Sequence, residues 1–380
     1  MTNASLKILQ ISSAQSIGGG ERHLADLANA LAARGHDLYA ALRPDSPLLG
    51  ELAGLGKNIS TLPLRNALDA ASARKLAGLV RQHEIQIVHA HMARDYPLAA
   101  YAARRNPRAQ LIVTRHVLFP LNRLHRLVLS QAARVIAVSE AVARSMRAQE
   151  LVPADRITIV ANGINVDRFA QGRARFDARV FRRRWQLPEN HLLVGSVGEL
   201  RPLKGHEDFL RAAATIVRRL PQTSFLIAGV DPSRSGEHRA ALEHLIAELD
   251  LTKHVHLVGW LDDLPSFYCA LDVFVSASHT ESFGLAIVEA LASETPVVAT
   301  RTDGAAEILS AVAGAALVPA GATEALAASV SALLEDPVKR GRLATAGSAI
   351  VRQRFSLARM IEETEQVYHE ALRCTPEFSQ

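Results

Sequence analysis

Short apolar runs rich in β-branched residues recur along this chain, and each gives way to a stretch whose apolar residues return at helical spacing. Residues 7–12, 38–42, 59–62, 85–90, 110–114, 135–138 and 157–160 carry such runs, as do 192–198, 225–229, 273–276 and 296–299. After the first run, Leu24, Leu27 and Leu31 are spaced to set one face of a helix on a core. Apolar strands alternating with helices require a parallel sheet covered on both faces, because parallel neighbours are joined by crossovers. At 380 residues the chain is too long for one ordinary core. The expected class is α/β, with two doubly wound, Rossmann-like domains over 1–170 and 188–355, a linker over 171–187, and a closing helix within 356–380.

Open sheets of this kind bind ligands beyond the carboxyl ends of their strands, so the polar residues there carry the functional reading. Ser276 to Ala292 runs from a strand end through a polar loop into an apolar helix. Glu289 sits among Ala286, Ile287, Val288, Ala290 and Leu291, where an unpaired carboxylate would cost several kcal/mol, so it is expected to have a partner. Ser282, Phe283, Gly284 and Leu285 would offer backbone N–H groups to an anion at the helix N-terminus. Read alone, Glu281 and Glu289 equally suit a helix dipole and a polar gap.

Other strand ends add weaker signals. Gly18, Gly19 and Gly20 precede a helix expected over 21–34; they suit close approach to a phosphate and equally a plain turn. His89 and His91 flank one strand end and Arg115 and His116 follow another, where a histidine is most often a loop or satisfied core residue. Arg201 and Lys204 lie on a glycine-bounded loop entering a helix and could clamp a diphosphate through charge-assisted hydrogen bonds. No Asp-x-Asp occurs, and Cys269 and Cys374 lack metal-ligand spacing.

Taken in order, Gly198-x-Leu-x-x-x-Lys-Gly205, the strand and turn Val255–Leu261, Glu281-x7-Glu289 and the Thr300–Glu307 loop resemble the retaining glycosyltransferases of family 4, which have the two-domain GT-B fold. So do Val113–His116 and the Asn162-Gly163 turn, with Asn165 where the family usually has Asp and Glu294 where it usually has Gly. The resemblance implies two domains facing across a cleft, with the last helix packing back on the first. It implies transfer of a sugar from a UDP-, GDP- or ADP-sugar to an acceptor hydroxyl with retention, by a front-face displacement. Arg201 and Lys204 would hold the diphosphate, helped by the amides of Gly19, Gly20 and Ser282–Leu285; Glu281 would contact the donor sugar, Glu289 the ribose, and Gly259 and Leu261 the base. His116 would reach the donor sugar, and His89, His91 and Arg115 would line the acceptor side. No cofactor and no metal are expected.

Residues 1–185 hold 27 Lys and Arg against 13 Asp and Glu, a net of +14, whereas the remainder carries −9. A basic half suits a phosphorylated acceptor or a peripheral contact with an anionic membrane, and equally a solvated surface. Its arginines have few aromatics between them for stacking on bases, which argues against nucleic acid. No run is long enough to span a bilayer, and Met1 to Lys7 lacks the apolar core of a signal peptide. The expectation is a cytoplasmic enzyme at the inner membrane face, acting on a glycan or lipid-linked acceptor in lipopolysaccharide, glycolipid or exopolysaccharide synthesis. A nucleotide-sugar epimerase and a non-catalytic nucleotide-sugar-binding protein are the alternatives.

Overall fold

The computed structural model describes residues 5–233 and 235–373; Cys374 and the rest of the C-terminal stretch lie outside them. The chain divides into two units, one running to Gly163 and resuming at Leu357, the other spanning Ile164–Ser356. Each is built on one parallel sheet.

The first sheet holds β1 (Lys7–Ser12), β2 (Asp37–Leu42), β3 (Ile59–Thr61), β4 (Ile87–Ala90), β5 (Gln110–Arg115), β6 (Arg134–Ala137) and β7 (Ile157–Ile159). Their order is β3-β2-β1-β4-β5-β6-β7, every neighbour parallel. The order reverses between β1 and β4, so the connections leaving these two paired strands run in opposite directions and leave the crevice in which doubly wound sheets take ligands. At that point the buried Asp95 carboxylate accepts the Ser13 N–H at 2.8 Å, tying the end of β1 to the segment after β4.

The second sheet holds β8 (Leu192–Val197), β9 (Thr223–Ala228), β10 (Val255–Gly259), β11 (Val273–Ser276), β12 (Val297–Thr300) and β13 (Ala316–Val318). Its order is β10-β9-β8-β11-β12-β13, again parallel, with the switch between β8 and β11. β13 was not expected: three residues after a glycine turn leave too short an apolar run to stand out. Both units are thus Rossmann-like, as the alternation requires.

The helix Leu357–Arg373 completes the first unit. Met360, Ile361, Val367, Tyr368 and Ala371 join Leu24, Leu27 and Leu31 in one buried cluster, so the unit's core is closed by residues more than three hundred positions apart. The stretch 171–187 is not a linker. The helices Val166–Arg175 and Ala178–Arg184 bury Phe169 and Phe181 in the second unit, and Arg173 donates to the Ser293 carbonyl at 3.0 Å. Arg168 to Arg184 therefore belong to the second unit, and the charge contrast between units is smaller than between sequence halves.

Glu294 follows the helix Leu285–Ala292 with φ 55°, the left-handed position where glycine is preferred. A side chain there costs about 1–2 kcal/mol. Its half-exposed ion pair with Arg173, at 3.0 Å, returns less than about 1 kcal/mol. Glu294→Gly is therefore expected to raise stability by up to about 1 kcal/mol in urea unfolding, once the greater freedom of glycine in the unfolded chain is subtracted.

Candidate active site

In the second unit the strand-end loops are pressed together at glycines. A Cβ on Gly229, after β9, would lie 1.8 Å from the Gly198 carbonyl oxygen, and one on Gly205 would lie 2.0 Å from that of Ala277. Gly205 also has φ 64°. These contacts bring the loop after β8 against the loop after β11, and their charged residues meet. Lys204 Nζ donates to Glu281 Oε2 at 2.7 Å, with both side chains partly shielded from solvent. The lysine stem lies flat over Gly198, where a Cβ would already be 3.4 Å from its Cδ.

The remaining donor-site residues of this unit surround that pair. Arg201 points outward, 52% exposed, and its Nε donates to Glu199 Oε2 at 2.7 Å. Gly284 caps the helix Leu285–Ala292, whose first amides have no partner within the helix. Phe283 is buried, and the Glu281 carbonyl accepts the Gly304 N–H at 3.1 Å, fixing the loop onto the segment after β12. Glu289 has the expected partner: Tyr268 Oη donates to its Oε2 at 2.8 Å, so the half-buried carboxylate stands on a rigid phenol. Gly259 ends β10 with φ 72°, followed by the half-exposed Trp260 and the largely buried Leu261. Trp260 Nε1 donates to Asp262 Oδ1 at 3.0 Å. The arrangement offers one ammonium, one guanidinium and a helix N-terminus to an anion, beside two carboxylates able to accept hydroxyl hydrogens.

In the first unit, Gly19 and Gly20 are the opening residues of the helix Gly19–Ala33, which starts two residues earlier than expected. The Glu21 carboxylate accepts the Gly18 N–H at 3.0 Å, which stabilises the early start. The His116 ring packs over Gly20, 3.4 Å from where a Cβ would stand. His116 Nε2 lies 3.2 Å from His91 Nδ1, and His91 Nε2 lies 2.8 Å from Gln10 Oε1.

Two residues assigned to the acceptor side are placed otherwise. His89 is fully buried, with Nδ1 2.7 Å from Tyr368 Oη and Nε2 2.7 Å from Thr114 Oγ1, so neither nitrogen remains for a substrate. Arg115 is buried too, its guanidinium donating to the backbone carbonyl of Phe119. Alternation explains both: a residue at the very end of a strand faces the sheet's cover or the loop according to parity, which spacing alone leaves open. Sequence reading also passed over His23, on the core face of its helix, whose ring centroid is 4.8 Å from that of His116. A histidine among alanines and leucines on a buried face was the only available signal.

Burial pushes the imidazole of His23 down to about 4, that of His206 to about 4 and that of His89 to about 3. His91 and His116 are held well below the ordinary value first by burial and then by neighbouring imidazoles, with Arg115 adding to the effect on His116. A folded-state value below the unfolded one means that the unfolded chain binds more protons, so stability is intact above pH 6.5 and falls as pH drops from there toward 4. The unfolding free energy measured in urea should fall between pH 7 and 4.5, with a slope that rises toward about three protons near pH 5 from His23, His89 and His206. His89→Gln should reduce that slope by about one proton. Gly205→Ala should cost at least about 2 kcal/mol and displace Lys204 from Glu281.

Two family models match this chain. Glycosyltransferase Family 4 matches residues 17–168 and Glycosyl transferases group 1 matches 177–349. D-inositol 3-phosphate glycosyltransferase from Salinispora tropica is 33% identical over 254 residues, 64% of this chain and 52% of that protein. The chain thus spans about half the length of this relative. N-acetyl-alpha-D-glucosaminyl L-malate synthase from Bacillus anthracis is 25% identical over 318 residues, 80% of each chain. Among solved structures, a glycosyltransferase from Rickettsia africae superposes with a TM-score of 0.88 at 23% identity, covering 98% of this chain and 100% of that one. Anabaena HepE in complex with UDP-glucose gives 0.83 at 23% identity, covering 96% and 99%. At these identities the structures speak for the fold, which is that of GT-B glycosyltransferases. With the two family models spanning most of its length, the chain belongs to the family 4, group 1 glycosyltransferases.

Proposed function

We propose that this protein transfers a glycosyl group from a nucleoside diphosphate sugar to an acceptor hydroxyl with retention of configuration and without a metal. The observation that carries the reading is the Lys204–Glu281 pair beside the N-terminus of the helix Leu285–Ala292, at the switch point of the second sheet. An ammonium and unpaired helix amides neutralise the charge that builds on a leaving diphosphate. Arg201 swings from Glu199 to the same oxygens, since its pair is exposed and worth little. Glu281 accepts from a sugar hydroxyl and holds Lys204 in place, and Glu289, braced by Tyr268, accepts from the ribose. The turn at Gly259 and Leu261 receives the base. In the front-face step the sugar C1–oxygen bond to the diphosphate breaks, the acceptor oxygen bonds to C1 on the same face, and the departing phosphate oxygen takes the acceptor's proton.

The acceptor belongs to a glycan or lipid-linked class met at the cytoplasmic face of a membrane, as in lipopolysaccharide, glycolipid or exopolysaccharide synthesis. Support comes from residues 117–127 of the first unit, where exposed Phe119, Leu124 and Leu127 alternate with exposed Arg123 and Arg126, an apolar and cationic mix suited to anionic lipid. Among the described residues no helix is long and apolar enough to cross a membrane. A second reading, a small phosphorylated or carboxylated acceptor, is favoured by the names of the inositol phosphate and malate relatives.

The test is thermal denaturation with UDP-, GDP- and ADP-sugars, with chelator or with magnesium, followed by product analysis. One donor is expected to raise Tm, unchanged by chelator, and to pass its sugar to an acceptor with the anomeric configuration kept. Conversion of donor without acceptor would make the protein an epimerase, and stabilisation without turnover a binding protein. Glu281→Gln should lower kcat/KM by about 10–100-fold, the worth of one hydrogen bond to a charged group. Lys204→Met should abolish the donor's effect on Tm.

A further inference from the structure

The three imidazoles gathered in the first unit have no task in the transfer chemistry as a group. His23 comes from the helix Gly19–Ala33, His91 from just beyond β4 and His116 from just beyond β5, and a ring nitrogen from each lies within 4.8 Å of the others. His23 and His91 are only 4% and 6% exposed. The Nδ1 atom of His23 is buried without a hydrogen-bond partner, which a protein seldom leaves so. We propose that His23, His91 and His116 form a binding site for a borderline transition-metal cation such as Zn²⁺, Co²⁺ or Ni²⁺.

The surroundings prepare the ligands. Gln10 Oε1 accepts from His91 Nε2 at 2.8 Å, which sets the tautomer and leaves Nδ1 as a lone-pair donor facing inward; this is how metal-bound imidazoles are ordinarily oriented. His91 Nδ1 and His116 Nε2 are 3.2 Å apart, close to the separation of about 3.4 Å that two nitrogens have at about 2.1 Å from one tetrahedral ion. The widest separation in the set is 4.8 Å, so His23 has to move in by about 1.4 Å to complete it, a shift within reach of a side-chain rotation. Burial keeps the rings neutral at pH 7, so a cation need not displace protons from them. Three nitrogens and no carboxylate favour zinc, cobalt, nickel or copper over magnesium or calcium.

The cation is no counter-ion for the diphosphate, since the set lacks the oxygen ligands magnesium prefers. Because it claims His116, its consequence would be to withdraw that imidazole from any substrate, so that occupancy and transfer compete. The competition rests on the proposed function; the site itself does not, and it is tested without donor.

The experiment uses the full chain stripped by chelator and dialysed into metal-free buffer, titrated with Co²⁺ and then Zn²⁺. One equivalent of cobalt is expected to give the visible d–d bands of a tetrahedral site, and zinc to displace it. His23→Gln and His91→Gln should each weaken binding at least about tenfold, and Gln10→Ala by about tenfold through the lost orientation. Cobalt X-ray absorption on the unmodified chain should show three imidazole nitrogens, a result that does not depend on any variant folding. Binding that is absent, sub-stoichiometric, or unchanged in both histidine variants would overturn the proposal, as would an absorption spectrum with fewer than two imidazoles.

Discussion

Backbone crowding at the strand ends of the second sheet is the constraint on which the site depends. With Gly229 against the Gly198 carbonyl and Gly205 against that of Ala277, the loops after β8, β9 and β11 are closer than any side chain would allow. Two backbones in such contact have few alternative arrangements, because a packed interior does not deform continuously. The Lys204–Glu281 pair inherits its geometry from this contact, and so does the helix N-terminus beside it. An ion pair on freely moving loops would be worth almost nothing, since fixing two long side chains consumes what the charges return. Here the backbone has already been fixed by packing.

The first unit is organised by a different economy of interactions. Its strand ends carry histidines in a setting that strips them of water, and hydrogen bonds answer only part of the cost. His89 is fully satisfied between Tyr368 and Thr114, and His91 is held by Gln10 and His116. His23 and His116 each retain a buried nitrogen without a partner. One imidazole braces the core, one orients a neighbour, and two keep unspent bonding capacity. Residues of a single type, within a few ångströms, thereby have different chemical prospects.

Much of the fold was legible in the sequence, because a parallel strand buried on both faces writes itself as a continuous apolar run and its crossover helix as a 3.6-residue period. β13 escaped because three residues carry too little pattern, and the helices around Phe169 and Phe181 passed for a linker because their arginines hid two buried aromatics. At the site, Glu289 could be expected to have a partner from its apolar neighbours, yet nothing in the local sequence named Tyr268. The Lys204–Glu281 contact spans 77 positions and was visible only as two separate loop signals. His89, Arg115 and His23 mark the boundary of such reading: whether a polar residue at a strand end or on a helix faces ligand or core depends on neighbours supplied from elsewhere in the chain.

The first unit is discontinuous, opening before β1 and finishing with the helix Leu357–Arg373 after the whole second unit has intervened. Tyr368, which satisfies His89 and fills the core beside Leu24 and Leu27, therefore leaves the ribosome only after the whole second unit. During synthesis the earlier sheet must wait with an open apolar flank while the second unit, continuous in sequence, can close on itself. The order of birth along the chain is thus the reverse of the order in which the two cores can be finished, and the exposed flank of the waiting sheet is where a chaperone would have most to protect.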